Sequence, residues 1–408
     1  MNRVVITGLG VVSPIGINSS EFHKNTSEGI NGISKITHFE TDDFKVKIAG
    51  EVNINLSNYF SSKELNKIDR FTAFSIIAAD EAINNSNLNN KSNKENIGVI
   101  IGSGIGGINT LETQHKRLLK HPKKVSPYFI PTMISDIAAG HISIKHGYKG
   151  INYSVVSACA SGSHAIGDAY KMIKYGDADA IVAGGSEAAI SPISIAGFSN
   201  MKALTQNPDV NSACRPFDNN RDGFVMGEGA GILVLESLTS AIERNAYIHA
   251  ELIGYGASAD AHHLTQPDPD GNGAFRSMQI AIHDANIHSN EIDYINAHGT
   301  STKFNDKIET NAIKKLLKEH AYNVSVSSTK SMTGHLLGAA GGIESIACIQ
   351  AIENSIVPPT INYKNPDDEC DLDYTPNKKV NKNINFALSN TFGFGGHNAS
   401  LIFKKFNE

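Results

Sequence analysis

Tryptophan is absent from this 408-residue chain, and aromatic residues make up only 7% of it. Cysteine occurs four times, as Cys159, Cys214, Cys348 and Cys370, without the close pairing of a zinc site or the density of a disulfide framework. Sparse thiols of this kind fit a reducing compartment, so a cytoplasmic protein and thiol chemistry are expected. No apolar run approaches the ~20 residues that cross a bilayer. Val4-Val5-Ile6-Thr7 begins strand-like with no charged leader before it. Positive charge is not in excess either: the net charge of -5 excludes a general nucleic-acid binder. Proline/serine-rich and charged linkers are missing, which excludes domains strung on a flexible tether.

Glycine, in contrast, is abundant at 36 residues, and it follows short β-branched runs at 4–8, 97–102, 181–185 and 388–396. Helical periodicity fills the intervals at 71–84, 163–175, 306–319 and 339–353. Strand, glycine turn and helix in that rhythm predict an α/β fold. The stretch 84–96, rich in Ser, Asn and Lys, reads as a solvated loop. An internal echo runs through the chain. Tyr153-Ser154-Val155-Val156-Ser157 leads to Cys159 and a helix of small residues. Val324-Ser325-Val326-Ser327 leads to Lys330 and then Gly334-His335-Leu336-Leu337-Gly338-Ala339-Ala340. Two similar halves, 1–250 and 251–408, are expected to pack tightly with the site between them.

Cys159 lies in Ser157-Ala158-Cys159-Ala160-Ser161-Gly162, at the turn from strand to helix. A helix N-terminus is expected to depress its pKa and offer an anion site, and the small neighbours leave room for a substrate. A lone cysteine is otherwise more often a buried structural residue. His298 in Asn296-Ala297-His298-Gly299-Thr300-Ser301-Thr302 and His335 in Lys330-Ser331-Met332-Thr333-Gly334-His335 each follow a strand beside glycine, where proton donors and acceptors sit well. Most of the 16 histidines must be ordinary. Lys330 is either a solvated lysine or one that fixes the protonation of a neighbour. Asn390 to Asn398 is a glycine-rich segment with Phe392 and Phe394, suited to a gate and to backbone N–H donation, or simply to a tight hairpin. No Walker lysine motif is present, and Gly102-Ser103-Gly104-Ile105-Gly106-Gly107 fits the dinucleotide fingerprint poorly, so no nucleotide site is expected.

Taken together, SACASG around Cys159, NAHGTST around His298, KSMTGHLLGAAGG from Lys330 and FGFGG around Phe394 resemble the β-ketoacyl-acyl-carrier-protein synthases, most closely the type II elongating member. RDGFVMGEGAG and GDADAIVAGGSEA extend the likeness over essentially the whole chain. The resemblance implies a thiolase-like, duplicated five-layer α/β/α/β/α fold, a homodimer, and decarboxylative condensation of malonyl-carrier protein with an acyl group held on Cys159. It makes Cys159 the nucleophile, His298 and His335 the donors to the malonyl thioester carbonyl, Lys330 an electrostatic support, and the backbone N–H groups of Cys159 and Phe394 the oxyanion hole. Ile105, Thr265, Thr300, Thr302 and Phe392 match substrate-binding positions: Ile105 lines the acyl pocket, Phe392 gates it, and Thr300 and Thr302 face the phosphopantetheine arm. Lys63, Lys67, Lys123, Lys124 and Lys202 match a basic patch that docks acyl carrier protein. Asn296, Glu344, Ser389 and Asn390 match a structural site for K⁺ or Na⁺; no other cofactor is implied.

Four positions depart from the family pattern. Lys303 and Phe304 stand where proline and a small residue are usual, Asn66 replaces a basic docking residue, and His397 replaces a threonine. Among related activities, degradative thiolase would need a second cysteine in the C-terminal loop, and the initiating synthase an asparagine where His335 stands. A chain-length-factor subunit would lack Cys159, and a polyketide ketosynthase would share these motifs.

Overall fold

The computed structural model describes residues 1–91 and 93–407. Ten strands form its main sheet system: β1 (Val4–Val12), β2 (Ile97–Gly102), β3 (Asn152–Val155), β4 (Ala180–Glu187), β5 (Gly229–Ser237), β6 (Ala250–Ala259), β7 (Tyr294–Asn296), β8 (Ser325–Ser327), β9 (Phe386–Gly393) and β10 (His397–Lys404). The first half is ordered β3-β2-β4-β5-β1 and the second β8-β7-β9-β10-β6, the same order when each half is numbered by itself. Directions repeat as well. β3, β2 and β4 run parallel, with β5 and β1 antiparallel after them, and β8, β7, β9, β10 and β6 follow the same scheme. The halves join where Val4–Ile6 pairs with Ala250–Leu252.

Strand periodicity assigns each face. Ile97, Val99, Ile101, Val182 and Val234 point outward, where α1 (Arg70–Ser86) and the helix Ile137–His146 cover them. Ile100, Ile181, Ala183, Leu233 and Leu235 point inward. In the second half Ile295, Leu388 and Ile402 face outward, while Tyr294, Ala387, Leu401 and Phe403 face inward. Between the sheets lie α2 (Ser161–Tyr175) and α5 (Ala340–Asn354), the latter buried on every side from Ala340 through Ile352, with Glu344, Ser345 and Gln350 its buried polar residues. The outer face of the second sheet is covered by α3 (Asn272–Ala285) and α4 (Lys303–Leu317). The result is five layers, helix, sheet, helix, sheet, helix. β1 keeps Val4, Ile6, Leu9 and Val11 all in the central core only because a bulge between Ile6 and Gly8 switches its parity.

Two sequence expectations change here. α1 continues to Ser86 and Leu88–Asn90 adds a 3₁₀ turn, because Ile83 and Leu88 are fully buried; the solvated loop is therefore shorter than 84–96, and its Ser92 lies outside the described residues. The internal echo also aligns differently. The turns that precede the two central helices are Ala158–Ala160 and Leu337–Ala339, and each opens on a residue with positive φ, 51° at Ala158 and 49° at Leu337. Cys159 is thus matched in the second half by Gly338, not by the Lys330–His335 segment.

Candidate active site

β3 ends at Val155, and the chain then turns through Ala158 in the left-handed region before α2 begins. That strained turn lifts the Cys159 side chain out of the layer between sheet and helix. Cys159 remains only 8% exposed, with its sulfur at the wall of a cavity of about 620 Å³. His335 follows Gly334, whose φ of 71° directs the chain back onto Val225, and His335 N donates to Val225 O at 2.7 Å. Leu337 N–H donates to His335 Nδ1 at 3.3 Å, which leaves the ring proton on Nε2. Nε2 lies 3.1 Å from Cys159 Sγ. His298 leaves the end of β7 and is anchored by its backbone: His298 N and Gly299 N each donate to the Glu309 carboxylate at 2.8 Å. Its ring stands nearly perpendicular to that of His335, centroids 5.2 Å apart, and its Nδ1 is buried without a protein partner. Ligand-type atoms of Cys159, His298 and His335 all lie within 4.8 Å of one another.

Burial pushes both imidazole pKa values well below the usual histidine range, and the Lys330 charge pushes in the same direction. Both rings are therefore neutral at physiological pH. Burial also pushes the Cys159 thiol up, to about 12, against the opposing effects of Lys330 and of the Phe394 N–H that donates to the sulfur. The expected depression of this thiol by a helix N-terminus is thus outweighed: Cys159 sits in the turn before α2, and losing solvent costs the thiolate more than its nearby donors return.

Lys330 begins a short helix, Lys330–Thr333, and its ammonium pairs with the Glu344 carboxylate of α5, both fully buried. Lys330 is therefore not a solvated surface residue. Removing one member of such a pair leaves an uncompensated buried charge. Lys330→Ala is expected to lose about 3–5 kcal/mol of stability. The check is the midpoint of urea unfolding, which is expected to recover in large part when Glu344→Leu is added.

The turn between β9 and β10 is a hairpin at Phe394–Gly396, so the glycine-rich segment is both a tight turn and a cavity wall. Phe394 lies with its ring 6.3 Å from that of Phe198, and Phe392 packs 5.7 Å from the His298 ring. Ile105, Thr265, Thr300, Thr302 and Phe392 all line the same cavity as Cys159. Thr300 and Thr302 hydroxyls are hydrogen-bonded at 2.9 Å. Lys303 starts α4, and Phe304 stands 67% exposed on the cavity wall. His397 opens β10 and is exposed, and Asn66 caps the C-terminus of the short helix Ser62–Leu65.

Asn296 and Ser389 are register partners across β7 and β9. Asn296 Oδ1, Ser389 Oγ and Glu344 Oε2 are all buried without a partner. Three orphaned oxygens suit a hard monovalent cation. The Asn390 side chain is already committed, donating to Glu309 and accepting from Ser400. Of the expected docking lysines, Lys63 is exposed on the helix Ser62–Leu65, Lys123 and Lys124 form the exposed turn Pro122–Lys124, and Lys202 is exposed beside the cavity. Lys67 places its ammonium over the Tyr128 ring, 4.8 Å from the centroid.

Two buried acids were not anticipated from the sequence. Glu309 has a pKa raised by burial to about 7, and Glu187 ends β4 at the cavity wall. Both had a signal: Glu309 lies on the apolar stripe of Ile308, Ala312, Ile313 and Leu316, and Glu187 closes an otherwise uncharged strand.

A model of the β-ketoacyl synthase N-terminal domain matches residues 1–241, and one of its C-terminal domain matches residues 249–364. The chain belongs to the β-ketoacyl synthase family, and its fold is thiolase-like. It is 52% identical over 407 residues to the 3-oxoacyl-[acyl-carrier-protein] synthase 2 of Staphylococcus aureus strain COL, covering 99% of this chain and 98% of that one. It is 50% identical over 408 residues to the protein of the same name from Synechocystis sp., again covering 99% and 98%. Among solved structures, a ketosynthase complex with a type II polyketide acyl-carrier protein matches with a TM-score of 0.93 and 37% identity, covering 99% of this chain and 100% of that one. A β-ketoacyl synthase from Burkholderia phymatum STM815 matches with a TM-score of 0.92 and 32% identity over the full length of both chains. Among the described residues no helix is long and apolar enough to cross a membrane.

Proposed function

We propose that the chain is a 3-oxoacyl-[acyl-carrier-protein] synthase of the type II, elongating kind. It joins malonyl-carrier protein to an acyl group held on Cys159 and releases carbon dioxide and 3-oxoacyl-carrier protein. The observation that carries this reading is the placement of two neutral imidazoles beside one nucleophilic sulfur, His335 Nε2 at 3.1 Å from Sγ and His298 next to it. Cys159 attacks the acyl thioester, and the proton it loses is the proton the departing pantetheine sulfur gains. The N–H groups of Cys159 and Phe394 hold the oxyanion. In the second half-reaction the two imidazoles donate to the malonyl thioester carbonyl. Breaking the carbon–carboxylate bond sends its electron pair into the enolate they stabilise. The enolate carbon then attacks the Cys159 thioester, and the sulfur leaves as a thiolate and takes a proton from solvent. Burial keeps both rings neutral and the Lys330 charge adds to it, so they act as donors rather than as acids.

Ile105 and Phe392 bound the acyl chain, and Thr265, Thr300 and Thr302 line the route of the phosphopantetheine arm. Asn296, Glu344 and Ser389 would hold a structural K⁺ or Na⁺ through their free oxygens, and it would take no part in the chemistry. Two copies form a homodimer, supported by the edge strand β3, which among the described residues pairs only with β2, and by Val156 beyond it, 61% exposed. The fatty-acid role is preferred over a polyketide one because identity is 52% to the elongating synthase and 37% to the polyketide ketosynthase. Retention of Cys159 sets aside a chain-length factor. Action in the cytoplasm is consistent with four free cysteines.

Incubating the wild-type protein with a long-chain acyl-carrier protein is expected to add one acyl mass, mapped by peptide digestion to Cys159. No adduct on folded protein would overturn the reading. The acidic carrier is steered by Lys63, Lys67, Lys123, Lys124 and Lys202. Charge reversal at both Lys123 and Lys124 is expected to raise KM for carrier-bound substrates about tenfold at low salt with little change in kcat. The effect should shrink as ionic strength rises, which steady-state assays in graded salt will show.

A further inference from the structure

Glu187 is 0% exposed, and the chemistry above makes no use of it. Its Oε1 accepts from Ser103 Oγ at 3.0 Å, Ile105 N at 3.2 Å and Gly106 N at 3.3 Å, and its Oε2 from Gly104 N at 2.8 Å and Gly338 N at 3.1 Å. Burial pushes its pKa up, and the four backbone N–H groups and one hydroxyl that converge on it act against that by favouring the carboxylate. Four of the donors belong to the loop after β2, which carries Ile105 on the cavity wall. The fifth, Gly338, belongs to the turn before α5, the second half's counterpart of the Cys159 turn. Its neighbour Leu337 gives the N–H that fixes the His335 tautomer. The fit leaves no space: a Cβ at Gly338 would lie 2.7 Å from Glu187 Oε2, and one at Gly104 2.9 Å from it.

We propose that Glu187 is a positioning residue that ties the acyl-pocket loop Ser103–Gly106 to the Leu337–Gly338 turn, so that acyl-chain fit at Ile105 and the placement of His335 against Cys159 are set by one carboxylate. The proposal rests on the function proposed above and adds to it a link between chain-length choice and the reacting sulfur. Glu187→Gln keeps the shape but can satisfy only the donors on one oxygen. Glu187→Asp keeps the charge on a shorter arm.

The test compares wild type, Glu187→Gln, Glu187→Asp and Ser103→Ala in two assays. One is the ratio of kcat/KM for a long- and a short-chain acyl-carrier substrate. The other is the pH dependence of Cys159 alkylation by iodoacetamide, which needs no carrier. Burial holds the thiol pKa up and the Glu187 charge adds to it, against Lys330; Lys330, Glu344, His298 and His335, the other titratable groups around the sulfur, keep their identity in every variant. Glu187→Gln is expected to change the chain-length ratio about tenfold and to move the alkylation midpoint down by about one pH unit. Glu187→Asp is expected to leave the midpoint in place and recover part of the ratio. Ser103→Ala, which removes one donor, should shift the ratio in the same direction by less. An equal loss for both acyl lengths with an unmoved midpoint in Glu187→Gln would overturn the proposal. If that variant does not fold, an unchanged ratio in Ser103→Ala would do so. Absence of any acyl adduct on wild type would instead overturn the proposed function, and the alkylation midpoints would still decide whether Glu187 acts on the sulfur.

Discussion

Cys159→Ala is expected to abolish acyl transfer and condensation while leaving decarboxylation of malonyl-carrier protein in place. The two reactions draw on different groups. Acyl transfer needs the sulfur, and no other thiol can substitute: Cys214, Cys348 and Cys370 are buried, and none lines the cavity. Cys214 donates its S–H to Lys330 O at 2.9 Å, away from any substrate. Decarboxylation needs a carbonyl oxygen held between two N–H donors, and alanine at 159 leaves the anchors of both rings untouched, Leu337 N–H for His335 and Glu309 for the His298 backbone. Intact-protein mass after exposure to acyl-carrier protein reads the first loss, and carbon dioxide release from malonyl-carrier protein reads the retained activity. An acyl adduct surviving in Cys159→Ala would place the nucleophile elsewhere. Loss of decarboxylation as well would mean that the sulfur itself holds His335 in place.

The duplicated layering was legible in the sequence because each half spells the same grammar, apolar strand, small-residue turn and helix. Alternation separates the two faces of β2, β4 and β5, but every residue of these strands is buried, so which face looks inward is set by the layers around them. What the sequence did not disclose is where the two copies align. By sequence the echo sets Lys330 opposite Cys159, since both follow a strand closely. The equivalence lies instead at Leu337-Gly338, where the positive φ of Leu337 repeats that of Ala158. A backbone conformation carried by alanine in one half and leucine in the other leaves no compositional mark. The parity switch in β1 is similarly hidden: Thr7 looks like any strand residue, and only pairing with β5 exposes it as the bulge.

At the site, residue types were legible and environments were not. Cys159, His298 and His335 are far apart in the chain but lie beside strand ends that the topology brings together. The direction of the thiol pKa could not be read from its place before a helix, because burial is a property of the surrounding layers. Lys330 illustrates the same point, since nothing local distinguishes a surface lysine from one paired with Glu344 on a central helix. Glu187 and Glu309 were visible as acids in apolar settings, and their meaning required seeing which N–H groups converge on them.

His298→Ala and His335→Ala are each expected to slow decarboxylation about 10²–10³-fold, the usual consequence of removing one donor from a developing oxyanion. The Cys159 adduct should still form in both variants. Because the rings act on one oxygen, the double variant is expected to lose less than the product of the single losses. The pH profile separates this mechanism from one in which a histidine acts as an acid. Both pKa values are lowered, so the rings stay neutral as pH falls through the ordinary histidine range near 6.5, and decarboxylation should remain level there. Protonating His335 would also cost it the Leu337 N–H, which Nδ1 accepts only when unprotonated. The acid limb is therefore expected well below 6.5, and in Lys330→Ala, where the neighbouring charge is gone, it should move up toward that value. Initial rates of carbon dioxide release across the acid range, with wild type and Lys330→Ala side by side, make the check. A wild-type rate that climbs as pH falls through 6.5 would show that an imidazolium does the work and would defeat the neutral-donor mechanism.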